Sequence, residues 1–214
     1  MPDILSVNTV MLNIGGYAMS WIEFAGTVLY FASTILIARK NILNWPVGIV
    51  SVILYGILFY QIGLYSDMIE QSYYLVISVW GWFNWTRRKR EDKEIRSLWT
   101  PLPRLILWLL AGAVLSTGLG FCTARFHLWF PSWFAQPASF PFVDAFTTVF
   151  SFIAMFLMTR RRNESWIYWF VIDAVGIWLY WVKGVRFISM QYVLLLGMAV
   201  YGFLFWVKPV RKSV

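Results

Sequence analysis

Polar side chains recur at helical spacing in two otherwise apolar stretches of this chain. In Asp67–Trp85, the residues Gln71, Tyr74, Ser78, Gly81 and Trp85 follow one another at steps of three and four, so a helix aligns them on one face. In Ser165–Lys183, the same stepping aligns Trp166, Trp169, Asp173, Gly176 and Tyr180. One face then holds an amide and a phenol, the other two indoles, a carboxylate and a phenol. These groups suit reversible binding of a small polar molecule better than bond-breaking chemistry. Asp173 lies near the middle of its stretch, where a lone charge inside a bilayer costs at least ~2.5–3.5 kcal/mol on insertion scales. It serves either as a packing carboxylate, protonated or bonded to Ser, Asn or Gln on another helix, or as a substrate contact.

Glu70, Gln71 and Gln191 divide between interhelical hydrogen bonding and substrate contact, and Asn84 between a structural and a binding role. Trp166 stands close enough to a helix end to be a headgroup anchor, and gains weight only by sharing a face with Asp173. Gly81 and Gly202 are expected to allow close helix contact. Trp80, Trp82, Trp85 and Trp206, near basic residues, read as members of an interfacial aromatic belt, and His127 as a lone loop residue.

The elements that position these residues follow from composition. At 214 residues, 60% hydrophobic and with a mean hydropathy of +0.64, the chain exceeds the ~45–50% apolar content of soluble domains. Its apolar segments have the length of membrane helices, and seven are expected, at 19–38, 42–62, 67–86, 101–121, 141–159, 165–183 and 187–207. Pro46, Pro101 and Pro141 sit at helix starts, where a missing N–H costs little. The excess of basic residues then sets orientation and is no sign of a nucleic-acid partner. Fifteen of the eighteen lie on one side, all but Arg125, Lys183 and Arg186, which places the C-terminus in the cytoplasm and the N-terminus outside. The basic run after Trp85 reads as a solvated loop that fixes topology. Cys122 is the single cysteine, so no disulfide forms within the chain, and the N-terminus has no basic region of the kind that opens a cleaved signal peptide.

A repeat organises these spans. Shifted by 121, residues 23–85 lie on 144–206 without a gap and with thirteen identities, among them Arg39 on Arg160, Trp45 on Trp166, Gly63 on Gly184, Gly81 on Gly202 and Trp85 on Trp206. Two three-helix units separated by one extra span have the same orientation, as parallel transporter repeats do. The expected fold is therefore an all-α membrane protein of seven helices. It comprises an N-terminal interfacial segment (1–18, with a short helix over 4–18), a first three-helix repeat (19–86) and a basic loop (87–100). A connecting helix (101–121), an outer interfacial loop with aromatic anchors (122–140), a second three-helix repeat (141–207) and a basic tail (208–214) follow. No phosphate-binding GxxxxGK[ST], HExxH, GxSxG or Cys/His cluster is present, so neither ATP-driven transport nor hydrolysis within this chain is expected, nor any metal or cofactor.

Asn44-Trp45-Pro46, Leu64-Tyr65 with Asp67, Gln71 with Tyr74, and Gly81-Trp82 with Trp85 together resemble the signature region of the PnuC family of bacterial nicotinamide riboside transporters. Trp166, Trp169 and Asp173 are similar to that family's WxxW motif followed by a polar residue. The resemblance covers about residues 20–208. It implies a 3+1+3 fold related to the SWEET sugar transporters, a homotrimer in the bacterial inner membrane, and facilitated diffusion without ion coupling. Substrate would be bound mid-membrane between the repeats and drawn inward by a cytoplasmic kinase. Nicotinamide riboside carries a fixed pyridinium charge, a carboxamide and a ribose. Indole faces attract such a cation by ~0.5–2 kcal/mol each, and amide side chains can bond the carboxamide and hydroxyls. Gln71, Tyr74, Trp166, Trp169 and Asp173 are then the main contacts, with Trp45, Asn84 and Gln191 secondary. Thiamine and riboflavin remain open as substrates, as do a scaffold or receptor subunit without transport and an intramembrane enzyme.

Overall fold

The computed structural model describes residues 4–14, 16–62, 65–92, 96–132, 136–184 and 186–208. Gly63, Leu64, Lys93, Trp133 and the tail from residue 209 with Arg211 and Lys212 lie outside the described residues. The order is a two-stranded hairpin, β1 (Val10–Ile14) and β2 (Tyr17–Ser20), then seven helices: α1 (Trp21–Ala38), α2 (Asn44–Gln61), α3 (Tyr65–Asp92), α4 (Leu102–Trp129), α5 (Pro141–Thr159), α6 (Ser165–Val182) and α7 (Arg186–Val207). Six of them, all but α3, are long and apolar enough to cross a membrane. Asp67, Glu70, Gln71 and Asn84 lower the hydropathy of α3, although at 28 residues it is ample in length. Two compact units divide the chain, residues 1–96 and 97–214.

In the first unit the expected helix over 4–18 is replaced by the antiparallel hairpin, in which Ile14 pairs with Tyr17 and Val10 with Ser20. Gly16, before the second strand, adopts φ +89, open to glycine at no steric cost. Gln61 at the end of α2 holds the segment before the hairpin: its Nε2 donates to the Leu5 carbonyl (2.6 Å) and its Oε1 accepts from the Val7 N–H (2.9 Å). Ser20 caps α1 by accepting the Glu23 N–H. Ser51 donates to the Gly26 carbonyl (2.8 Å), Ser33 to that of Asn44 (2.9 Å), and the hydroxyls of Thr27 and Tyr55 meet at 2.8 Å, which knits α1 to α2.

In the second unit Val149, Phe150, Ile153, Ala154, Leu157, Tyr168 and Ile172 form the buried core. Gly112 and Gly120 of α4 let the rings of Phe150 and Phe142 on α5 come close. A Lys183–Asp144 ion pair at 2.8 Å ties the end of α6 to the start of α5. Helices α3 and α4 outrun their expected spans. The first six residues of the basic loop, Arg87–Asp92, are helical, and so are the first eight of the outer loop, 122–129, with His127 among them. Neither stretch contains a breaker, since Pro131 is the first proline after α4 begins its last turns.

The last residues of the basic loop, Ser97–Thr100, do not form a free solvated segment. Leu98 forms a parallel bridge with Arg162 in the α5–α6 turn, and Thr100 N–H donates to Glu164 Oε1 (3.0 Å).

The α1–α2 and α5–α6 turns are built alike. Asn41 N–H donates to Leu36 and Lys40 N–H to Ile37, while Arg162 N–H donates to Leu157 and Arg161 N–H to Met158. Lys40 and Arg161 occupy the left-handed position of this cap, at φ 55 and φ 59. The position favours glycine, but a cation there faces the negative end of the helix dipole.

Candidate functional site

Each unit holds four of the eight candidate residues. On α6 the expected face is the inward one. Trp166, Asp173 and Gly176 are buried, Trp169 and Tyr180 half-buried, whereas Ile167, Phe170, Val171, Trp178 and Trp181 are exposed. Asp173 is 3% exposed and makes no hydrogen bond or ion pair among the described residues. Trp169 packs against the core around Phe150. One turn past Asp173, Gly176 receives the Tyr192 ring, which stacks on Tyr180 with centroids 5.4 Å apart. Tyr192 was missed from the sequence, although it is the position that aligns with Gln71 at the 121-residue shift.

Trp166 is no headgroup anchor. Its indole lies against Gly202 and meets Trp206 edge-on, with centroids 5.5 Å apart and planes at 85°. The first unit repeats this clasp. The Trp45 indole lies against Gly81 and meets Trp85 at 5.3 Å and 82°. Trp85 and Trp206 therefore belong to the interior and not to an aromatic belt, while Trp80 and Trp82 are exposed as a belt requires. Trp45 Nε1 and Trp166 Nε1 are both buried donors without a hydrogen-bond partner among the described residues. What these two side chains can offer a ligand is an N–H, since their rings are already covered.

On α3, Gln71 and Tyr74 are half-buried, and so is Asn84. Gln71 Cβ stands 3.7 Å from where a side chain on Gly56 of α2 would begin, so the missing side chain leaves the amide room beside α2. Tyr74 meets Tyr73 edge-on at 5.6 Å. Ser78, next along the stripe, is buried. Gln191 on α7 is half-buried.

Indoles, amides and an unpaired carboxylate set along the inward faces of apolar helices define a multi-pass membrane protein equipped to handle a small polar molecule. Comparison with known proteins agrees. The family model described as nicotinamide mononucleotide transporter matches residues 20–208, and the chain belongs to that family. The nicotinamide riboside transporter PnuC of Escherichia coli (strain K12) is 31% identical over 98% of this chain and 96% of its own length. The riboflavin/roseoflavin transporter RibM of Streptomyces davaonensis is 24% identical over 90% and 88%. The crystal structure of the vitamin B3 transporter PnuC shares the fold, with a TM-score of 0.65 and 23% identity over 87% of this chain and 80% of that one.

Proposed function

We propose that this protein carries nicotinamide riboside across the bacterial inner membrane by facilitated diffusion. Similarity to the E. coli transporter over almost the whole of both chains carries the reading. Charge favours the riboside over its 5′-phosphate. The helices hold no arginine or lysine away from their ends, so a phosphate dianion would meet Asp173 with no counter-cation, whereas a pyridinium ring is its complement. Asp173 and Trp169 bind the cationic ring, Trp166 donates from Nε1, and Gln71 and Tyr74 take the carboxamide and ribose hydroxyls. Trp45, Asn84 and Gln191 are secondary contacts. The clasps and caps that recur at the 121-residue shift support an arrangement of two parallel three-helix repeats, α1–α3 and α5–α7, joined by α4. In that arrangement α3 completes seven crossings, the N-terminus lies outside and the C-terminus in the cytoplasm. The protein works as a homotrimer, and a cytoplasmic kinase traps the substrate.

Riboflavin is the second reading, favoured by the similarity to RibM. A panel of nicotinamide riboside, its 5′-phosphate, thiamine, riboflavin and sugars separates the two. The true substrate should raise the apparent stability of the purified protein, by about 2.7 kcal/mol at a hundredfold excess over Kd, and should enter proteoliposomes. Stabilisation and flux with riboflavin alone would overturn the proposal.

A further inference from the structure

We propose that Ser97–Thr100 is a latch at the arginine-bearing end of the second unit, closed in this structure, that must open for substrate to leave by that end. The inference rests on the transport reading above. The segment holds two helix ends together. Leu98 N–H donates to the Arg161 carbonyl (3.0 Å) and the Leu98 carbonyl accepts from Asn163 N–H (2.9 Å). Thr100 N–H donates to Glu164 Oε1 (3.0 Å), and Arg162 Nη1 donates to the Trp99 carbonyl (2.9 Å). These bonds fix the start of α6. Ser97 Oγ donates to the Trp206 carbonyl (2.8 Å) and the Trp99 ring meets Phe203 at 6.2 Å, which fixes the end of α7. The helix ends so joined are those that enclose the Trp166 indole.

Three features mark this joint as one that opens. It is held by hydrogen bonds more than by apolar burial, since Leu98 and Trp99 are 48% and 53% exposed, so parting it uncovers little new apolar surface. It is poorly satisfied when closed: Thr100 Oγ1, Asn163 Oδ1, Glu164 Oε2 and Tyr168 OH are buried there with no hydrogen-bond partner among the described residues. A permanent joint would pair such groups, whose burial opposes closure. Its bridge also closes on the α5–α6 turn, not on a flank of either helix, so it can part without unwinding α5 or α6.

The test is a reversible lock across the bridge. In a Cys122→Ser parent, Leu98→Cys and Arg162→Cys place two thiols at the bridged pair. The oxidised protein should still be stabilised by nicotinamide riboside yet carry it at least about tenfold more slowly than the reduced protein, because a gate held shut sets the turnover rate. Reductant should restore the flux. Equal flux in the oxidised and reduced forms would overturn the latch. If the parent carries a different vitamin from the panel, the proposed substrate falls and the latch is judged on that vitamin. A parent that carries none overturns both. In the unmodified protein, the Leu98 and Asn163 amides should exchange hydrogen at least about tenfold faster than amides in the middle of α5. Equal protection also overturns the latch.

Discussion

Gly81 and Gly202 lie so close under the indoles of Trp45 and Trp166 that a Cβ at either position would clash with the ring carbons. Gly81→Ala and Gly202→Ala should each cost about 1–3 kcal/mol, as overpacking does, read as a lower midpoint of thermal unfolding. Trp45→Phe should recover part of the loss in Gly81→Ala, and no recovery would mean that the clasp is not what the glycine serves. Asp173 tests the site itself. Asp173→Asn keeps size and hydrogen bonding but removes the charge, so it should weaken a pyridinium nucleoside about tenfold more than a neutral analogue of the same shape, roughly 1.4 kcal/mol of selectivity. Trp169→Leu removes a π-face and should shift selectivity the same way. Equal losses for charged and neutral ligands in folded variants would make Asp173 a scaffold residue. The inward face of α6 was legible because helical periodicity is a local signal. The burial of Trp85 and Trp206 was not. A tryptophan at a helix end beside basic residues looks like an anchor, and only the indole of Trp45 or Trp166 on the neighbouring helix, a partner distant in sequence, reveals that it is covered.

Among the elements, α5 begins and ends where the sequence placed it, because Pro141 opens it and the left-handed Arg161 closes the cap behind it. Boundaries without such punctuation drifted. The end of α4 ran on to Trp129, and that of α3 to Asp92. The N-terminal hairpin was mistaken for a helix because its strands, of five and four residues, are too short to show a period. Gln61 makes that hairpin dependent on α2. Gln61→Ala removes two bonds to backbone, each worth about 1 kcal/mol, so exchange at the Val7 amide should rise while α1 and α2 stay protected. Unchanged exchange at Val7 would show the segment to be held by other contacts. Tyr17 adds a second tie, donating to Glu23 Oε1 at 2.7 Å, and partial burial together with that bond pushes its hydroxyl up to about 12. It therefore remains a donor throughout the physiological range.

For the whole molecule, orientation and energetics are open to direct measurement. A reporter fused to the C-terminus should be active in the cytoplasm, and activity only in the periplasm would invert the proposed topology. Uptake into liposomes should need no ion gradient. Accumulation above the outside concentration under an imposed pH gradient, with no kinase inside, would refute facilitated diffusion and make a buried carboxylate such as Asp173 a proton carrier. The composition of α3 also bears on how the chain is made. On the proposed seven-crossing topology, a helix holding Asp67, Glu70, Gln71 and Asn84 gains too little from lipid to leave the translocon unaided. It must enter alongside α2, whose Trp45 and Gly56 already wait to receive Gly81 and Gln71. Insertion and folding of the first unit are then one event, and a nascent chain lacking α2 should deliver α3 to quality-control proteases instead of to the bilayer.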